Sequence, residues 1–296
     1  MRVVVAGASG FVGRRLCPSL ESRGHEVTAL TRDPDGYAGA GRPAHADVHR
    51  PQTLPPALDG CDAAVYLVHS LGSQDFEQLD ARAARAFGLA ASDAGVRRIA
   101  YLGGLGPESE GLSAHLRSRR EVEGLLGSGG VPVTVLRAGI IIGAGGASWD
   151  LMSQLVDRLP VMVTPRWVTT RCQPIAVADV VDYLVRALET DEASGKTFEI
   201  GGPDVLTYVA MLRRIADLKA RRRPAVLSVP VLSPRLSSLW LSLVSDVDYG
   251  TGRALVDSMV NEVVVRDDSI RALLPGDLID FDDAALAAVG DAATEG

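Results

Sequence analysis

The stretch Arg2-Val3-Val4-Val5-Ala6-Gly7-Ala8-Ser9-Gly10-Phe11-Val12-Gly13 decides the fold. Its apolar run, rich in β-branched valine, predicts a buried strand over Arg2–Ala6. Three glycines follow at G-x-x-G-x-x-G spacing, and a helical pattern runs from Phe11 to Ser22. Each glycine has its own physical reason. Gly7 lets the chain turn tightly, Gly10 lets backbone approach a pyrophosphate, and Gly13 lets the helix pack close to the strand. The helix start adds free N–H groups and the positive end of its dipole. Strand, loop and helix in this order predict a phosphate cradle formed by Gly7, Ser9, Gly10, Phe11, Val12 and Gly13. The competing reading is a tight turn with no ligand.

Outward from this unit, short apolar runs alternate with helical patterns. Strands are expected over Glu26–Thr31, Ala44–Val48, Ala63–Val68, Ile99–Leu102, Val133–Arg137 (extended by Ile140–Ile142) and Lys196–Ile200. Helices are expected over Pro51–Leu58, Asp75–Gly95, Ser113–Gly127 and Val177–Glu189. Alternation of this kind predicts an α/β protein, a Rossmann-type doubly wound parallel sheet. Pro224, Pro230 and Pro234 break up the chain after Arg221-Arg222-Arg223. The expected division is a dinucleotide-binding domain over 1–223 and a small C-terminal lobe over 224–296. The loop 144–174 faces that lobe, and the tail frays from about Gly290.

The chain has 296 residues, 47% of them hydrophobic, enough for a real core. A net charge of −7 argues against a nucleic-acid partner. Cys17, Cys61 and Cys172 lie far apart without a CxxC pair, and the five histidines show no ligand spacing, so no metal is expected. No secretory leader and no run of about 18 apolar residues is visible, and a cytoplasmic location is the expectation. In Leu232–Val244, the residues Leu236, Leu239, Trp240 and Leu243 share a helical face. That stripe is read as a buried or dimer-facing surface, with peripheral membrane contact as the alternative. Monomer and homodimer both stay open.

The second strand ends Ala29-Leu30-Thr31-Arg32. An acidic residue here would bind the ribose hydroxyls and select NAD. Arg32 instead matches a 2′-phosphate, which predicts NADP. NAD is the alternative, should Asp33 do the selecting. Asp47 could accept from an adenine amino group or merely hold a turn. Strand ends face the ligand crevice in this architecture, which places Val68 and His69 beside the cofactor.

The chain resembles the extended or atypical short-chain dehydrogenases/reductases, in the branch with NmrA-like regulators and the Rossmann subunit of respiratory complex I. The resemblance covers about residues 1–205. It rests on Gly7–Gly13, Ala46-Asp47-Val48, the run from Gly60 to Tyr66, that from Ala94 to Leu102, Leu136-Arg137-Ala138-Gly139, Ile175–Val180 and Phe198–Gly202. It implies an NAD(P)H cofactor and extends the cofactor contacts to Val48, Ala138 and Ile140. Enzymes of this kind carry Ser or Thr after the fifth strand and Tyr-x-x-x-Lys on the next helix. Here those positions read Gly103-Gly104, His115 and Arg119.

Spacing of four puts His115 and Arg119 on one helix face. Arg119 could hold the ribose, and His115 could act as acid or base, better as base beside a guanidinium. The competing reading is a solvated face among Arg117, Arg120, Glu121 and Glu123. His69 is a second catalytic candidate or a structural histidine. Tyr101 is expected in the core. Gln173 and Arg166-Trp167 either line the substrate side or form an ordinary loop. Two functions follow. One is an NADP(H)-dependent oxidoreductase for a small or medium apolar carbonyl, enone or quinone-like substrate. The other is a non-catalytic NAD(P)H-binding sensor or accessory subunit.

Overall fold

The computed structural model describes residues 1–70, 72–73, 75–106, 112–164, 166–228 and 259–294. The chain runs β1 (Arg2–Ala6), α1 (Gly13–Ser22), β2 (Glu26–Thr31), β3 (Arg42–His45), α2 (Leu54–Leu58), β4 (Ala63–Tyr66), α3 (Phe76–Asp93), β5 (Arg98–Gly104), α4 (Ala114–Leu126) and β6 (Val133–Ala138). It continues through β7 (Ile141–Ile142), α5 (Ala147–Arg158), β8 (Val161–Thr164), β9 (Arg171–Cys172), β10 (Ile175–Ala176) and α6 (Val177–Glu189). Then follow β11 (Thr197–Ile200), β12 (Leu206–Thr207), α7 (Tyr208–Leu218), β13 (Ala225–Ser228), α8 (Ser269–Leu273) and α9 (Phe281–Thr294).

Seven parallel strands form the central sheet in the order β11-β6-β5-β4-β1-β2-β3. The winding reverses between β1 and β4. A crevice at the carboxyl ends of the strands is expected at that point. Strand alternation divides the core between the two faces. Val3 and Val5 pack with Leu16 and Leu20 of α1 and Val180 and Leu184 of α6. Val4 and Ala6 pack on the other face with Leu54 and Leu58 of α2, Phe87 of α3 and Val122 of α4.

A second core lies apart from the sheet. It joins Trp149, Met152 and Leu155 of α5 to Met211 and Ile215 of α7 and to Phe281 and Ala285 of α9. Two carboxylates tie α9 in place. Asp179 Oδ2 accepts the Ile279 N–H at 3.0 Å, and Asp204 Oδ2 accepts the Phe281 N–H at 2.9 Å.

Three expectations change. The third strand is Arg42–His45, not Ala44–Val48. It sits at the sheet edge, where Pro43 costs no ladder bond, and Asp47 turns the chain by accepting the His49 N–H. Ile141–Ile142 leaves the β6 line and pairs with β10 instead. The tail does not fray at Gly290, because α9 continues to Thr294. The Leu232–Val244 stripe lies outside the described residues. Among the described residues no helix is long and apolar enough to cross a membrane. No cluster there suits a metal, and the three cysteines are buried free thiols.

Helix α3 reaches α4 through Gly88. A Cβ there would lie 2.9 Å from the Leu126 carbonyl carbon and 3.1 Å from the Leu125 carbonyl oxygen. Both obstacles are backbone and cannot rotate away. Gly88→Ala, normally favourable inside a helix, is therefore expected to destabilise the protein by about 1–3 kcal/mol. Urea unfolding checks this, and a more stable variant would refute the close contact.

Candidate functional site

The phosphate loop has the shape its glycines predict. Gly7 has φ +90°, a left-handed conformation open to glycine, and its carbonyl accepts the Gly10 N–H at 3.0 Å. A Cβ on Gly13 would stand 2.7 Å from the Ala8 Cα. Only glycine lets α1 begin so close to β1. The backbone N–H groups of Phe11 and Val12 find no acceptor among the described residues. Two free donors at a helix start suit an anion. Arg14 and Arg15 then donate to the Ala144 carbonyl at 2.8 and 3.0 Å, pinning the loop after β7 beside Phe11.

Two cavities meet at this loop, sharing Gly7 and His69. One, of about 410 Å³, is lined by Gly7, Ser9, Arg32, Asp47, Val48, Val68 and His69, together with Thr31, His49 and Ser70. The other, of about 230 Å³, is lined by Gly10, Phe11, Val12, Gly13, His69, His115, Arg119 and Ala138. The cofactor and catalytic candidates read from sequence thus come together, except Ile140. Ile140 is buried in the second core, and its neighbours Gly139 and Ile141 line the crevice instead.

Several side chains whose roles the sequence left open make backbone contacts. Asp33 Oδ1 accepts the Gly36 N–H at 3.2 Å, and the residue lines a neighbouring hollow with Tyr37 that shares Ser9 and Thr31 with the larger cavity. Asp47 likewise gives Oδ1 to the His49 N–H at 2.9 Å. Gln173 clamps the Gly202 carbonyl at 2.7 Å and accepts the Val265 N–H at 3.0 Å, lining neither crevice cavity.

Helix α4 starts at a sequence-readable cap, where Ser113 Oγ accepts the Leu116 N–H. Its inner face carries His115 and Arg119 into the crevice, so this face is not simply solvated. Arg119 donates to the Tyr101 hydroxyl at 3.3 Å and to the Val68 carbonyl at 3.5 Å. Tyr101 is fully buried, as expected, and also serves as this acceptor. Burial opposes the Arg119 charge, but Tyr101, Asp80 and Tyr66 around it hold the guanidinium above its ordinary pKa.

Asp80 was missed, although the signal was present. It falls at helical spacing with Ala83, Ala84 and Phe87, a carboxylate on the buried stripe of α3. Only 3% of it is exposed. Burial raises its carboxyl, while hydrogen bonds from Ser70 and the charge of Arg119 work the other way.

The family's hydroxyl position is filled from α4. A Cβ on Gly103 would stand 2.9 Å from Glu123 Oε1, and one on Gly104 would stand 2.8 Å from Leu116 Cδ2. Glu123 is held there by a bidentate pair with Arg137, with Oε2 2.6 Å from Nη2. No serine fits without displacing these groups.

Both crevice histidines are neutral at pH 7. Burial, and then Arg119, takes His69 down to about 4. Burial, Arg119 and then His69 take His115 down to about 3.

The sequence profile of a family described as NAD(P)H-binding matches residues 7–191. The chain belongs to this NAD(P)H-binding family. Some of the similar proteins are named as reductases, among them the sanguinarine reductase of Eschscholzia californica, 25% identical over 68% of this chain and 89% of that protein. One similar protein is the mitochondrial NADH dehydrogenase (ubiquinone) 1 alpha subcomplex subunit 9 of Arabidopsis thaliana, 26% identical over 76% of this chain and 60% of its own length. Another is the Stigmatella aurantiaca 4-hydroxy-2-methyl-3-oxo-4-farnesyl-3,4-dihydroquinoline-1-oxide ketoreductase, 26% identical over 92% of this chain and 90% of that protein. The chain spans only 25% of an uncharacterized Mycobacterium tuberculosis relative that it also matches. In fold this family member is similar to the NADPH-dependent quinone oxidoreductase of Escherichia coli complexed with NADPH. The TM-score is 0.76 and identity 20%, covering 96% of this chain and 98% of that one.

The depressed histidines bear on stability with a definite sign. Their folded values lie below the unfolded value of about 6.5. Between those values the unfolded chain binds more protons, so the stability contribution is complete above about pH 6.5 and is lost as pH falls toward 4. His115→Gln is expected to flatten this part of the stability–pH curve in urea titrations. An unchanged slope would show that His115 is not held neutral by the fold.

Proposed function

We propose that this protein is an NADP(H)-dependent reductase of a small or medium apolar quinone-like or enone substrate. The observation carrying this reading is the meeting of Arg119 with two neutral imidazoles in the cavity next to the phosphate loop.

The chain's own groups fit the cofactor. Free N–H groups at the start of α1 suit the pyrophosphate. Arg32 is exposed on the larger cavity, while the neighbouring Asp33 is turned into the Gly36 turn. A 2′-phosphate in the larger cavity meets the Arg32 guanidinium, while Asp33 lines the neighbouring hollow and not that cavity. The Escherichia coli neighbour, solved with NADPH, is consistent with this preference. The nicotinamide, when bound, supplies a hydride.

The protein must then receive the negative charge left on the substrate oxygen. Arg119 does this electrostatically, in a partly buried place where such an interaction is strengthened. His115 and His69 contribute hydrogen bonds, since a neutral imidazole donates a hydrogen bond but not a proton. A simple ketone leaves a strongly basic alkoxide that calls for a proton donor. A quinone or enone leaves a phenolate or enolate, which a guanidinium can hold until solvent protonates it. The absence of the serine and tyrosine hydroxyls is then compatible with turnover.

The test combines binding and turnover. Arg32→Ala is expected to weaken NADPH binding about tenfold or more, leaving NADH nearly unchanged, in a fluorescence titration. Arg119→Leu is expected to lower kcat for a quinone by about 100-fold or more while binding cofactor. Equal loss for both cofactors would remove the NADP assignment. Cofactor binding without turnover of any quinone, enone or ketone would leave the non-catalytic NAD(P)H sensor as the function.

A further inference from the structure

A third cavity of about 300 Å³ lies one strand beyond the crevice, at the carboxyl end of β11. It shares no lining residue with the two crevice cavities. Helix α6 supplies Tyr183, β11 supplies Glu199, and the chain entering and forming α8 supplies Arg266, Asp268 and Arg271.

Three of these groups can present donors to the cavity. Tyr183 is 4% exposed, its ring packed in the sheet core, yet its hydroxyl has no hydrogen bond to a described residue. Burial raises its pKa, with Arg271 opposing, so it remains an O–H donor at neutral pH. Arg266 and Arg271, both exposed like Asp268, line the same space, and no ion pair holds either of them among the described residues. Glu199 Oε2 is already taken by the N–H groups of Arg266 at 2.7 Å and Asp267 at 3.3 Å. Those amides offset its charge. Asp268 stands at the exposed start of α8.

We propose that this cavity is a second binding site, independent of the cofactor, for a small molecule bearing a phosphate or carboxylate. Arg266 and Arg271 flank the oxyanion, and the Tyr183 hydroxyl donates to it from the floor. The guanidinium fork suits either group. The volume leaves room for more than the anion itself, as small-metabolite pockets do.

The experiment is isothermal titration calorimetry of the whole protein with inorganic phosphate and, separately, with acetate. The variants are Arg266→Ala/Arg271→Ala, Tyr183→Phe and, as control, Arg32→Ala. Circular dichroism confirms that each variant is folded, and unchanged NADPH binding confirms it a second time for the two variants at the third cavity. Saturable binding of either anion is expected, and which one binds better distinguishes a phosphate from a carboxylate ligand. The double variant is expected to weaken it by about tenfold or more and Tyr183→Phe by several-fold, with Arg32→Ala unchanged. Binding of neither anion would overturn the proposal. So would binding that is lost in Arg32→Ala and kept in the double variant, since it would belong to the cofactor crevice.

Discussion

The approach of α1 to β1 at Gly13 is the constraint on which the rest of the site depends. The contact there is backbone on backbone, and a Cβ would meet the Ala8 Cα at 2.7 Å. Because no side chain separates the two elements, the helix begins directly over the end of the central strand. Its unpaired N–H groups then point into the gap where the sheet reverses its winding. The ends of β2 and β4 reach the same gap because they flank β1 in register, with Ala6 level with Leu30 and Tyr66. Thr31, Arg32, Val68 and His69 come to the crevice as a consequence of that pairing.

Missing side chains shape the reacting end in the same way. Gly103 and Gly104 let α4 settle against the end of β5, with Leu116 and Glu123 in the space that side chains would occupy. The buried Glu123–Arg137 pair then locks the arrangement. Removing one partner would strand the other charge, which costs far more than the intact pair contributes. An α4 so seated directs His115 and Arg119 into the crevice. The lost hydroxyl and the gained guanidinium are therefore two results of one packing choice.

The first βαβ unit, the sheet strands and most cofactor-side residues were legible in the sequence because their periodicity and glycine spacing are local signals. The second core was not. Its elements α5, α7 and α9 are separated by long stretches of chain and become amphipathic only with respect to one another. Ile140 was misplaced because β6 ends at Ala138 and the chain leaves the sheet, pairing Ile141–Ile142 with β10, so the strand alternation no longer tells which side chains face the crevice. Asp33, Asp47 and Gln173 were ambiguous for a related reason. A carboxylate or amide near a ligand site looks alike in sequence whether it faces the ligand or a backbone N–H, and here backbone N–H groups claim all three.

Asp80 shows what the buried polar network accomplishes. The groups compensating Arg119 lie behind it, on α3, β5 and the end of β4. None is a carboxylate on the crevice side among the described residues lining that cavity. The guanidinium is thus stabilised without being neutralised from the front. Burial first, and then its field, keep His69 and His115 from taking up protons, so the smaller cavity holds one cation and two neutral imidazoles. On the reductase reading proposed above, that distribution has little to gain from a neutral substrate and much to gain from a negative charge that develops on it. Electrostatic complementarity of this kind favours the transition state over the ground state, which is the condition for raising kcat rather than merely tightening binding.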